Sequence, residues 1–225
     1  MKKVILFLLA LAGVPFAWAC ARALLNSLAS GLTEDSFLTP GCVAFLVGAA
    51  AMVALYFWKG RELSIVYVFG HEMTHALVGL CFFARIHSVN IRETGGFVEL
   101  SKSNLFITLA PYCVPFYLFI VIGVHALATC IAPQPVWPWY AAFGVTTAFH
   151  ILYTLDALLT VAQPDVRAYG RFFSYWFILV VNLLFALLAL VAIGHISFRG
   201  QAHALRVQTV DAYVAVVDLA RRLIP

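Results

Sequence analysis

Charge is what this sequence has least of. Asp, Glu, Lys and Arg make up 11% of its 225 residues, where a soluble domain carries about 25%. Hydrophobic residues make up 64%, above the usual soluble level of about 45–50%. A chain so composed has too little polar side chain to cover a water-soluble core, which excludes an ordinary soluble globular domain. The net charge of +4 is spread over chain ends and short loops. No basic cluster forms, so nucleic acid has no footing on the chain. Cysteine is also sparse. Cys20, Cys42, Cys81, Cys113 and Cys130 form no C-x-x-C pair and all lie in or beside apolar stretches. That excludes a disulfide framework or a zinc ribbon and reads as buried free thiols. There is no internal repeat and no low-complexity tract.

What the sequence has is long apolar runs. A spanning helix needs about 20 mainly apolar residues. Six segments approach that length: Val4–Ala21, Cys42–Trp58, Leu63–Phe83, Leu105–Ala132, Trp139–Ala162 and Phe172–Ile193. The fold class expected is therefore an all-α polytopic membrane protein of about six transmembrane helices, a multi-pass protein of the lipid bilayer, with a bacterial plasma membrane as its expected location. Residues 1–200 read as one membrane domain. Its first span, preceded by Lys2 and Lys3 and containing Ala17-Trp18-Ala19, reads equally well as an uncleaved helix or a cleaved signal. The stretch from Arg22 to Pro40, with Asn26, Ser27, Thr33, Glu34 and Asp35, reads as a loop, Trp58 to Glu62 as a short polar turn, and Pro133-Gln134-Pro135 as a break. Pro111 and Pro115 can bend the fourth span, and Gly70 can allow a close helix approach.

Two stretches depart from the spanning pattern. From Ile86 to Leu100, Val89 and Ile91 alternate with polar residues, as do Val98 and Leu100, and Thr94-Gly95-Gly96 stands between them as a turn. That is a small β-hairpin. The backbone of Gly95, Gly96, Phe97 and Val98 can pair with an extended peptide segment, because a free strand edge accepts another strand. From Gln201 to Leu223, Val210, Tyr213, Val214, Val217 and Ala220 recur at helical spacing opposite Gln208, Asp211, Asp218, Arg221 and Arg222. Residues 201–225 are thus expected to form an amphipathic helix on the membrane surface.

The chemistry is concentrated in His71-Glu72-Met73-Thr74-His75, an H-E-x-x-H motif inside the third apolar segment. His71 and His75 share one helix face and can hold one zinc ion, with Glu72 as general base toward the water that the metal activates. From composition alone, such a match arises by chance about once in two hundred chains of this length. Three ionisable side chains within five residues of a span are costly and mark function more often than packing. Zinc needs one further protein ligand. Asp156 is the one acid deep in a later span and ranks first. Asp165, just beyond that span, ranks second, with an N-cap role as its structural alternative. His150 ranks third. His150 and Asp156 are about 600° apart on one helix, so the two do not both face the metal.

At these residues the chain resembles the site-2 protease family of intramembrane zinc metalloproteases. The resemblance covers roughly Leu63 to Asp165: the motif within a span, the glycine-bearing hairpin after it, and an aspartate in a later span. It implies zinc held by His71, His75 and the later aspartate, with Glu72 as base. Leu155-Asp156 matches the family's Leu-Asp-Gly in part, since Ala157 stands at the glycine, and the family's upstream Asn-x-x-Pro is missing. No segment is long enough for the PDZ or CBS domains that some members carry. The chain looks like a minimal or divergent member.

The expected function is hydrolysis of peptide bonds in membrane or membrane-proximal substrates, with Zn2+ as cofactor and a membrane protein or peptide as partner. Two alternatives stay open at this point: a non-enzymatic membrane protein with a metal site, such as a transporter or scaffold, and an inactive member that binds substrates without cutting.

Overall fold

The structure, a computed structural model, describes residues 1–33, 38–92, 95–160, 162–193 and 197–223. It is mostly helical, with one two-stranded antiparallel hairpin. The described residues fall into two compact units, one made of residues 1–39 and 166–225, the other of residues 40–165.

The first unit is three long helices. Helix α1 runs Lys2–Thr33, α8 runs Arg171–Ile193 and α9 runs Phe198–Leu223. The loop expected from Arg22 is instead the continuation of α1. Ser27 finds helical and tertiary partners there: its hydroxyl bonds the Ala23 carbonyl at 2.8 Å and Gln201 Oε1 of α9 at 2.8 Å. Glu34 and Asp35 lie outside the described residues. Helix α9 is amphipathic as expected, but it does not lie alone on a surface. Besides Gln201, it donates the Tyr213 hydroxyl to the Ala12 carbonyl of α1 at 2.9 Å. The two contacts run in opposite chain order, so α9 is docked antiparallel along α1, and residue 200 marks no division between units.

The second unit carries the motif. Its elements are α2 (Pro40–Lys59), α3 (Ser64–Cys81), β1 (Ile86–Arg92), β2 (Gly95–Leu100), α4 (Leu105–Cys113), α5 (Phe116–Ile131), α6 (Val136–Thr160) and the start of α7 (Pro164–Tyr169). Helices α2 and α6 pack backbone to backbone. Gly48 faces the Ala141 carbonyl and Gly144 faces the Phe45 carbonyl, so closely that a Cβ at either position would collide with main chain. Small residues are how two apolar helices gain contact when lipid offers no hydrophobic drive.

Among the described residues four helices are long and apolar enough to cross a membrane: α1, α2, α6 and α8, or five spans if α4 and α5 count as one. The expected count of about six is not reached by length and composition among the described residues. The fourth expected span, Leu105–Ala132, is broken by a 74° bend. Val114, placed before Pro115, is extended at φ −105°, ψ 111°, as the proline ring demands of its predecessor, and α5 starts afresh at Phe116. Pro111 stays inside α4 without breaking it. The third expected span is α3, whose 18 residues reach only about 27 Å at 1.5 Å per residue. It carries three ionisable groups at mid-length and is not among the four.

The end of α3 places the hairpin. Phe83 N–H bonds the Leu80 carbonyl and Ala84 N–H bonds the Gly79 carbonyl, at 2.8 and 2.9 Å. That is the paired closure of a Schellman motif, with Phe83 at φ 57° in the left-handed position usually given to glycine. The chain turns back and lays the hairpin on α3. Val89 pairs with Val98 and Ile91 with Gly96, and a bulge between Ile86 and Ser88 shifts the register. Gly95 and Gly96 belong to β2 rather than to a turn, while Thr94 lies outside the described residues.

Candidate metal centre

Helix α3 puts His71 and His75 one turn apart on one face, and the second unit closes on that face with Asp165. His75 Nε2 is 3.3 Å from Asp165 Oδ2 and His71 Nε2 is 3.6 Å from the same oxygen. Tetrahedral zinc with bonds of about 2.0–2.1 Å sets two ligand atoms about 3.3 Å apart. One ligand atom from each of the three residues can be chosen so that all lie within 4.8 Å of one another. The side chains are 11–24% exposed. A hard carboxylate with two imidazoles is a donor set that suits zinc, so the residues present fit the metal expected.

The surroundings fix the ligands. His75 Nδ1 donates to the Ile107 carbonyl at 2.8 Å, which turns Nε2 toward Asp165. A metal-binding histidine is held in tautomer and direction by such a bond. That carbonyl is available because the residue four places on in α4 is Pro111, which has no N–H to donate to it. The His71 ring meets Tyr112 edge-on at 5.1 Å and Tyr67 at 5.7 Å, so its plane is held by aromatic contacts. Gly70 lets the Tyr117 ring close on α3, where a Cβ would approach it to 2.8 Å.

Asp165 reaches the histidines because α6 ends at Thr160 and the chain turns. Gln163 Nε2 bonds the Ala157 carbonyl at 3.3 Å, and Pro164 opens α7 with Asp165 in its first turn. The Tyr112 hydroxyl donates to Asp165 Oδ2 at 3.2 Å. Burial alone would raise the Asp165 carboxyl. The imidazoles of His71 and His75, by hydrogen bonding and then by charge, hold it well below the usual carboxylate range. It therefore stays an anion, the form a metal requires.

Of the three candidates for the third ligand, the structure brings Asp165 to the histidines and leaves two apart. Asp156 stays on α6, half-buried, and lines the same cavity without joining the cluster. His150 is buried beside a small pocket that it shares with Gly70, His71 and Thr74. Glu72 is 6% exposed and lies under the hairpin: a Cβ on Gly96 would come within 2.7 Å of Glu72 Cγ. Close passage of β2 over Glu72 thus depends on glycine there. Glu72, the two histidines and Asp165 open on one cavity of about 670 Å³, which Gly95, Gly96, Phe97 and Val98 also line.

Tyr112 and the Ile107 carbonyl were missed by sequence reasoning. The only signal for Tyr112 was a polar-tipped aromatic inside an apolar run, since a buried Tyr hydroxyl usually finds a partner. Tyr112→Phe keeps the ring against His71 and removes the bond to Asp165. We expect zinc affinity to fall by about 10–100-fold, as for other outer-shell changes, measured by competition with a chromophoric chelator. Unchanged affinity would show that Asp165 needs no such support.

Comparison with protein-family models, curated proteins and solved structures gives no match. The family resemblance therefore rests on the residues themselves.

Proposed function

We propose that the protein is a zinc metalloprotease of the membrane that hydrolyses peptide bonds of membrane or membrane-proximal substrates. One observation carries this reading: His71, His75 and Asp165 converge on one cavity in which Glu72 and the strand β2 also stand. A bound zinc ion supplies Lewis-acid polarisation of a carbonyl and a water of lowered pKa. His71, His75 and Asp165 hold it. Glu72 takes a proton from the attacking water and returns it to the leaving amine.

The strand orients the substrate. Among the described residues β2 pairs only with β1, and the cavity is lined by β2 residues and by none of β1. The free edge of β2 thus belongs to the cavity side. An extended peptide added to that edge gains main-chain hydrogen bonds without demanding a particular sequence.

Metal removal tests the reading. Purified protein in detergent, incubated with a mixture of single-span membrane peptides, is expected to produce cleavage fragments by mass spectrometry. A chelator should abolish them and stoichiometric Zn2+ should restore them. Metal-dependent flux into proteoliposomes with no fragments from any peptide would instead favour a transporter.

A further inference from the structure

The cavity wall holds more carboxylate than the metal group and the base use. Asp156 of α6 lines it, and so does Glu99 of β2, while no Lys or Arg does among the described residues. Asp156 takes part in no ion pair among those residues, and the Tyr56 side chain hydrogen-bonds it. Asp156 stands near the C-terminal end of an apolar helix, where the backbone dipole is negative, and no basic residue occupies the last turn. The wall beside it is aromatic. Tyr153, three residues earlier on α6, stacks on Tyr67 of α3 with ring centroids 5.6 Å apart, and both line the cavity. The Tyr153 hydroxyl is occupied by the Gly60 carbonyl at 2.6 Å, which anchors that ring.

A carboxylate next to aromatic rings is how proteins receive a cationic side chain: the rings take the alkyl stem and attract the charge, and the acid pairs with it. We propose that Asp156 is a specificity residue that pairs with a Lys or Arg of the peptide occupying the cavity, with Tyr67 and Tyr153 as the wall for its stem. The inference rests on the protease reading in taking the occupant to be a peptide. Asp156 thereby acquires a role separate from the metal. Substrates with a basic residue near the scissile bond are preferred, and those with an acidic residue there are rejected by Asp156 and Glu99 together.

The test reads binding rather than turnover. Two fluorescent apolar peptides, differing only in a central Lys or Glu, are titrated by anisotropy against the zinc-loaded Glu72→Gln protein in detergent micelles. The Lys peptide should bind roughly tenfold tighter, a preference that Asp156→Asn reduces to near unity and that rising salt narrows. Equal binding, no binding of either peptide, or a preference kept by Asp156→Asn at unchanged zinc content overturns the proposal. If Asp156→Asn does not fold, the salt series on the Glu72→Gln protein decides: a preference insensitive to ionic strength overturns it. Cleavage by the protein with Glu72 intact is scored separately. A chain that binds the Lys peptide but cuts nothing loses the protease reading alone, and one that cuts both peptides equally loses this one alone.

Discussion

Glu72→Gln is expected to keep zinc at one equivalent per chain and to lower peptide cleavage by about 10²–10⁴-fold, the usual worth of a positioned general base. Glutamine preserves the volume under Gly96, where the hairpin lies so close that a Cβ would come within 2.7 Å of Glu72 Cγ. The packing of β2 on α3 therefore survives, and the change is confined to proton transfer. Zinc content and cleavage measured on the same preparation separate the two roles. Activity within a few-fold of the unaltered protein would remove Glu72 from the mechanism. Loss of metal would mean that the residue holds the site together rather than moving a proton.

The second large effect is at Asp165. Asp165→Ala removes the oxygen that stands 3.3 Å from His75 Nε2 and 3.6 Å from His71 Nε2. It is expected to weaken zinc binding by more than about 100-fold, beyond the range of outer-shell substitutions. Asp156→Asn is expected to leave zinc content unchanged, because Asp156 lies on the cavity wall outside the cluster. Competition titrations of both variants, with helicity by circular dichroism as a check on folding, decide between the two acids. Full zinc in Asp165→Ala together with its loss in Asp156→Asn would return the third position to the span.

Some of this architecture was legible in the chain. Low charge and long apolar runs gave the membrane class, since nothing else covers so much apolar surface. The period-two pattern around Val89 and Val98 gave the hairpin, and these two residues pair across it. The spacing of His71 and His75 placed both on one face, because helical geometry is local. The expected span count and the helices found differ at two local features. Val114-Pro115 splits one run into α4 and α5, and α3, with His71, Glu72 and His75 at mid-length, lacks the apolarity that the others show. The helix beyond Arg22 was unreadable for another reason: Ser27 is satisfied by Gln201, 174 residues away.

The sequence by itself determined half of the candidate metal centre. His71, Glu72 and His75 lie within five residues, where helical geometry alone fixes their relation. The other half was decided only by tertiary structure. Asp156 and Asp165 are both acids at the end of one apolar run, and no periodicity distinguishes them. What separates them is that α6 stops at Thr160 and a short connector, pinned by Gln163 and opened into α7 by Pro164, carries Asp165 back to α3. The Tyr112 hydroxyl then meets it from α4. A ligand that arrives on a turn is fixed by the packing of the elements around that turn, and that packing has no local signature.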